Sequence, residues 1–385
     1  MAAVLAVIVR RWHLPVRTPS FSTIRWWILR LGCYALRCPL PKDRPWVWLV
    51  DHTIQIGAAK LLAIVGCPLA DVPFGKRDLC LADLRLIALV PMTHSTHELV
   101  AIELEKALER TGIPRLIVSD QGSDVKKGIE RFQRRHPDVV WVYDIAHYGA
   151  NVLENRWERD PRWQEMLRQL SCANQKMRQT AQAYLLAPTL RPKARFMNVA
   201  VLLRFLSRVL RLLEGETPNP RAVEQYGWLL GYREALAGWL EEQRLVQTTI
   251  ERVRRHGVNA KTLAELERSW GQLSNRTGTA MVAGSMRVYA RKYGGLAGEG
   301  EVLVGSSEVL ESSFGKLKRL EGDASQAGFT AMVLALGAIL GQPGEADVRH
   351  ALEAVPKKAV TSWLRQNLGL STHVLRRRLF ARKKT

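Results

Sequence analysis

Short apolar runs and longer periodic ones divide this chain, and run length separates strands from helices. Trp46-Val47-Trp48-Leu49-Val50, framed by Pro45 and Asp51, reads as a strand, as do Ala59 to Val65 and Leu84 to Val90. Each is a brief stretch rich in β-branched or large apolar residues, as a covered sheet requires. At His97 the period changes. Leu99, Val100, Ile102, Leu104, Ala107 and Leu108 recur at helical spacing, and Thr111-Gly112 closes the segment after Arg110. Arg115 to Ser119 (strand), Asp124 to Arg135 (helix) and Val139 to Tyr143 (strand) follow. A meander succeeded by β-α-β order predicts an α/β fold with a mixed sheet flanked by helices on both faces.

After Asp144 strand signals give way to helical periodicity, clearest at Phe196 to Leu213, Glu224 to Val246, Gln247 to His256 and Lys261 to Gly271. The pattern predicts a core whose first part spans 45–148, an all-helical insertion over 149–300 that ends in the Gly-rich hinge Tyr293 to Gly300, and closing core helices over 301–345. Among the latter, Ser325 to Leu340 reads as an apolar helix packed on the sheet. Residues 346–385 read as a basic tail, ending in Arg376-Arg377-Arg378 and Arg382-Lys383-Lys384. Ahead of the sheet, residues 1–44 form a small helical segment with Ser22 as N-cap and Gly32 as stop. Arg25 and Arg30 make it a candidate recognition helix of a partial helix-turn-helix-like DNA-binding segment; an amphipathic helix with a solvated basic face fits equally. The stretch before Pro19 barely supplies the further helices such a motif needs, so the expectation is a domain incomplete at its N-terminus.

Charge narrows the partner. Lys plus Arg number 57 against 36 Asp plus Glu, a net +21, which favours a polyanion, nucleic acid ahead of an anionic membrane. The five cysteines form no CxxC pair and point to free thiols in a reducing compartment. Ala2 to Val9 is apolar but precedes Arg10-Arg11, the reverse of a signal peptide's order, and is too short to span a bilayer. These features predict a cytoplasmic protein without a membrane partner.

Three acids carry the candidate chemistry. Asp51 ends the first apolar run, Asp120 ends Leu116-Ile117-Val118-Ser119, and Glu311 lies at the start of a basic helix. Carboxylates at neighbouring strand ends suit hard divalent ions, which take oxygen ligands plus water and substrate phosphate. In such a site Asp51 bridges two ions while Asp120 and Glu311 hold one each. Taken singly, an Asp at a strand end is as well a turn former or helix cap, and Asp124 is a better cap than ligand; the joint order of the three favours a site. Asp144 and His147, spaced by three after a strand, meet on one helical turn, so that His147 is a candidate contact to a scissile phosphate or a member of a structural pair.

These segments, Trp48 to Thr53, Ile117 to Gly122, Asp144 to His147 and Glu311 to Arg319, resemble the DDE transposases of bacterial insertion sequences, whose catalytic domain is RNase H-like. The resemblance runs from about Pro45 to Arg319. It implies that Asp51, Asp120 and Glu311 bind Mg²⁺, with Mn²⁺ as substitute, and that the protein nicks transposon ends and joins the freed 3′-hydroxyl to target DNA. Double-stranded DNA is then the partner of a homo-oligomer, in the first place a dimer, in a bacterial nucleoid. The aspartate-two-residues-histidine element also recurs in transposases with a helical insertion before the glutamate. Lys316, Lys318 and Arg319 follow Glu311 as the expected DNA-contacting run, and Glu308, one turn earlier, is an alternative ligand. Tryptophans and arginines of the insertion, such as Trp157, Trp163, Arg195 and Arg204, are of the kind that stacks on bases or holds phosphates, but most read as core residues and solvated charges, and none is assigned to a site. Two other readings share the sequence features: a DNA-binding relative without catalysis, and a structure-specific nuclease on the same fold.

Overall fold

The apolar run at Trp46 becomes the middle strand of a five-stranded sheet in the computed structural model, which describes residues 2–13, 15–56, 59–190, 195–271, 276–321, 330–368, 377 and 379–381. In chain order the first elements are α1 (Ala2–Arg11), α2 (Phe21–Ala35), β1 (Trp46–Ile56), β2 (Ala59–Pro68), β3 (Arg85–Met92), α3 (His97–Thr111), β4 (Leu116–Ser119), α4 (Ser123–Gln133) and β5 (Val140–Tyr143). The sheet order is β3-β2-β1-β4-β5, with β1 antiparallel to β2, β2 antiparallel to β3, and β1 parallel to β4. Strand alternation sorts the side chains. Trp46, Trp48 and Val50 join Leu62, Ile64, Ile87 and Ile117 on one face, where Val100 and Leu104 of α3 and Ile129 and Phe132 of α4 complete a core. Val47 and Leu49, equally buried, face the other way.

The chain divides into two compact units, 1–142 with 307–385, and 143–306. The predicted insertion and closing segments began at 149 and 301; the division lies at 142/143 and 306/307. The second unit holds α5 (Ile145–Trp157), α6 (Pro161–Met177), α7 (Val199–Leu213), α8 (Pro220–Tyr226), α9 (Arg233–His256), α10 (Thr262–Trp270) and α11 (Thr277–Gly294). Nothing interrupts the chain at Val246, so the two helices predicted over 224–256 are in their greater part the single α9, preceded by α8 and a 3₁₀ turn at Gly227–Tyr232. Trp157 and Trp163 are fully buried, with ring centroids 4.7 Å apart, and Trp239 stands edge-on to Trp163 at 4.9 Å. They are core. Glu242 of α9 is buried beside them and accepts a 2.5 Å hydrogen bond from Trp157 Nε1; burial pushes its carboxyl pKa up against the pull of that bond and of Arg156.

The first unit resumes with α12 (Glu308–Glu321), a 3₁₀ turn at Ala331–Leu334, α13 (Ala335–Ile339), α14 (Glu345–Ala354) and α15 (Lys357–Asn367). Of the predicted Ser325 to Leu340 helix, residues 325–329 lie outside the described ones, and the remainder is that turn plus α13. Two expectations at the chain ends need correction. The segment after 345 is not a plain basic tail: α14 and α15 pack on α2, as does α13. Arg376, Arg378 and 382–384 lie outside the described residues. The 1–44 segment is therefore no separate domain, since α2 is built into this helical layer. Its cap is Ser20, whose side chain accepts from Thr23 N at 3.1 Å, and not Ser22. Nor is Gly32 a stop. The helix runs on to Ala35, and a Cβ added at Gly32 would lie 1.8 Å from the Leu334 carbonyl oxygen.

That close approach makes a prediction. Gly32→Ala should lower the thermal midpoint, at a cost of about 1–3 kcal/mol typical of forced overpacking. Gly284→Ala, in α11 with nothing within 4 Å of the new methyl, should instead raise it, through a gain in stability of about 0.5–1 kcal/mol. Equal responses of the two variants in a thermal melt would contradict the packing described.

Candidate functional site

Parallel pairing of β1 with β4 ends at Val50 opposite Ser119. One residue further on each strand are Asp51 and Asp120, so the register sets them side by side at the spacing of neighbouring strands, about 4.8 Å. Asp51 is not at a strand end as expected. β1 continues to Ile56 with Asp51 opposite Ala63 of β2; the strand that ends here is β4. By alternation Asp51 shares its face with Leu49, opposite the face covered by α3 and α4. Backbone amides fix both rotamers. Asp51 Oδ1 accepts from His52 N at 2.6 Å, and Asp120 Oδ1 accepts from Gly122 N at 3.0 Å. A Cβ on Gly122 would stand 3.1 Å from that same Oδ1, so glycine keeps the loop tight against the carboxylate.

The third acid arrives on α12, which packs against β1. Leu310, Phe314 and Leu317, at helical spacing, are its buried stripe. Glu308 and Glu311 share its first turn, both half-buried, and Lys316 is exposed. The side chains of Lys318 and Arg319 lie outside the described residues. An all-carboxylate donor set has the chemistry of a hard divalent-ion site. Among the described residues, however, no three His, Cys, Asp or Glu side chains gather closely enough to hold an ion. As folded, the site is a pair of neighbouring carboxylates with a further acidic pair on an adjoining helix.

Asp144 and His147 meet as their spacing predicts, within the second unit. Asp144 is the N-cap of α5, accepting from His147 N at 2.9 Å, and its Oδ1 lies 3.1 Å from His147 Nδ1. Of the two arginines assigned to DNA, Arg25 is exposed. Arg30 is committed elsewhere: its guanidinium donates to the carbonyls of Val355, at 2.5 Å, and Leu352, closing the C-terminal end of α14. That removes Arg30 from the candidate DNA contacts, because a half-buried guanidinium bonded to two carbonyls is not available to a phosphate.

A second polar cluster was missed. Asp124 is not the cap of α4; the cap is Gly122, without a side-chain bond, and Asp124 accepts from Lys60 Nζ at 2.7 Å. His52 joins them, with Nδ1 3.7 Å from Asp124 Oδ2 and Nε2 3.1 Å from Ser95 Oγ. Burial opposes charge on Asp124, but hydrogen bonds from Lys60 and Ser95 and the nearby His52 and Lys60 charges outweigh it and hold its pKa at about 2. Burial lowers the pKa of His52, against the pull of Asp124. Alternation held the signal: His52 follows Trp48 and Val50, and Lys60 precedes Leu62 and Ile64, on the face that α4 covers. In the second unit, Arg204, Arg208 and Arg211 form an exposed row along α7, a helix without a single acid, and make no ion pair among the described residues.

No protein-family model and no curated protein matches the sequence. Among solved structures, the chain is similar to one described as the Drosophila P element transposase strand transfer complex, with 12% identity, 86% of each chain covered and a TM-score of 0.40. A likeness of that size fixes neither fold nor function.

The Lys60–Asp124 pair has a measurable consequence in acid. Asp124 sits below its ordinary value of 3.8 in the folded chain. Its stabilising contribution is therefore present above the unfolded value and is lost as pH falls from there through about 2. Lys60→Met should move the Asp124 carboxyl resonance upward in an NMR titration and bring acid unfolding to higher pH. An unmoved titration would remove Lys60 as its partner.

Proposed function

We propose that this chain is a DNA transposase of the DDE kind, with an RNase H-like core in which Asp51, Asp120 and Glu311 hold Mg²⁺, to cut DNA at transposon ends and join the 3′-hydroxyl to a target. The observation that carries the reading is the register that sets Asp51 beside Asp120 where β4 ends. The packing of α12, with Glu308 and Glu311 in its first turn, against the same strand supports it. When bound, divalent ions there would supply Lewis-acid stabilisation of an in-line displacement at phosphorus. The chain's own contribution is orientation. Amides of His52 and Gly122 fix the two aspartates, and Glu311 approaches from a helix whose buried stripe holds it in place. Glu308 is the alternative donor on that turn. His147, held by Asp144 within the second unit, is a candidate phosphate contact of that unit.

Affinity for DNA rests on phosphate contacts. The net charge of +21 provides long-range attraction, and the exposed Arg25, Lys316 and the α7 arginines are candidate contacts, with Lys318 and Arg319 beside them in sequence. Joining two ends calls for a homo-oligomer, a dimer being the smallest that pairs them. A second reading, a DNA-binding relative without strand chemistry, draws on the absence of a three-member ligand cluster among the described residues.

Cleavage and joining of the DNA flanking the coding sequence, with Mg²⁺ or Mn²⁺, separates these readings. Wild type should give joined products. Asp51→Asn and Asp120→Asn should reduce cleavage to background while duplex affinity stays within about twofold, because the basic surface carries binding. Binding without metal-dependent products favours the non-catalytic relative; cleavage without joining marks a nuclease.

Salt dependence tests the α7 row independently. Replacing Arg204, Arg208 and Arg211 by Ala should lessen the slope of log affinity against log salt by about 2.7 on duplex DNA if each holds one phosphate. An unchanged slope would exclude α7 from the interface.

A further inference from the structure

We propose that Lys60 and Asp124 are positioning residues for Asp120, clamping the loop that presents its carboxylate. This assignment rests on the reading of Asp120 as a metal ligand. The loop Asp120-Gln121-Gly122 joins β4 to α4, and each end is held differently. At its start Ser119 is fully buried, paired with Val50, and its Oγ accepts from Trp141 Nε1 at 2.9 Å. At its far end α4 begins without a side-chain cap, because the cap position is Gly122. A helix start of that kind lacks the bond that Ser, Thr, Asp or Asn would supply there. The Lys60–Asp124 bond takes over. It fastens the second residue of α4 to β2 at 2.7 Å, with side chains 28% and 12% exposed, so solvent screens the pair only partly.

Fixing the first turn of α4 fixes Gly122, whose amide donates to Asp120 Oδ1. The clamp thus reaches the carboxylate through one hydrogen bond and a glycine that admits no side chain without crowding it. His52 and Ser95 complete the cluster, and their order with Asp124 suggests a serine-histidine-aspartate relay. The distances argue otherwise. Asp124 Oδ2 is bonded to Lys60 at 2.7 Å and stands 3.7 Å from His52 Nδ1, too far for the hydrogen bond that would orient an imidazole as a base. The carboxylate serves the lysine.

Lys60→Met and Asp124→Asn in the full chain test the clamp, with Lys60→Arg as the variant that retains the charge. Amide hydrogen exchange at Gly122 and at Ile129, in the middle of α4, is measured together with Mn²⁺ affinity. The clamp predicts exchange at Gly122 about tenfold faster or more in the Lys60→Met and Asp124→Asn variants, with Ile129 unchanged, Mn²⁺ affinity weaker by about 10–100-fold, and both restored by Lys60→Arg. Unchanged exchange at Gly122 would overturn the proposal. So would loosening that reaches Ile129 equally, since it would show a general structural role. If Gly122 loosens while wild type itself binds no Mn²⁺ and cuts no DNA, the clamp stands and the transposase reading fails.

Discussion

Four residues of parallel pairing, Val47 to Val50 against Leu116 to Ser119, fix where the acidic pair lies, and the core fixes that pairing. Slipping β1 by one residue would turn Trp46, Trp48 and Val50 away from α3 and α4. All three are fully buried, and Trp48 also donates to Thr111 Oγ1 at 3.1 Å inside the core. Exposing one such apolar side chain costs about 1.5–3 kcal/mol, so a one-residue slip is strongly disfavoured. A slip by two would keep the faces correct but part Asp51 from Asp120 by about 6.8 Å along the strand. The hydrogen bond from Trp48 to Thr111, at the end of α3, opposes that slip because it is specific to one position.

Alternation at the end of this pairing separates two jobs between consecutive residues. Asp51 faces away from α3 and α4, while His52 falls on their side and meets Ser95 and Asp124. The polar cluster lies at the rim of the α3–α4 core, where β1 and β2 run beyond the end of β4. A buried lysine–aspartate pair deep in the core would suffer a large desolvation cost; at the rim the cost is smaller, and the bond can hold a loop. Presentation and support thus fall on opposite faces of the sheet, with Lys60 on β2 and Asp124 on α4 supplying the bond.

Much of the core was legible because it depends on local period. The runs at Trp46, Ala59 and Leu84 and the helix at His97 all formed, and Gly112 takes the positive φ of 74° that suits a helix-terminating glycine. What escaped depends on residues far apart in sequence. Ser22 and Ser20 are equally good caps on composition, and geometry selects Ser20. Gly32 looked like a stop because the contact that requires glycine comes from Leu334. Helical spacing is present at Val348, Ala351, Leu352 and Val355, but the neighbouring basic runs mask it. The acids were found by their order along the chain; the lysine that supports Asp124 sits 64 positions away, on another strand.

Charge shows the same limit of composition. Arg30 closes the end of α14, and Arg110 does the same for α2, donating to the carbonyls of Leu36 at 2.7 Å and Ala35 at 2.9 Å, and to Leu86 in β3 at 3.2 Å. Such guanidiniums still count in the net +21 and in the long-range field that steers a polyanion. They do not count at contact, where counterion release depends on cations that can reach a phosphate. Attraction and affinity are therefore set by different subsets of the same arginines. The α7 row is available for both, because its charges are exposed and uncommitted to any acid, whereas Arg30 and Arg110 contribute to the field while holding helix ends together.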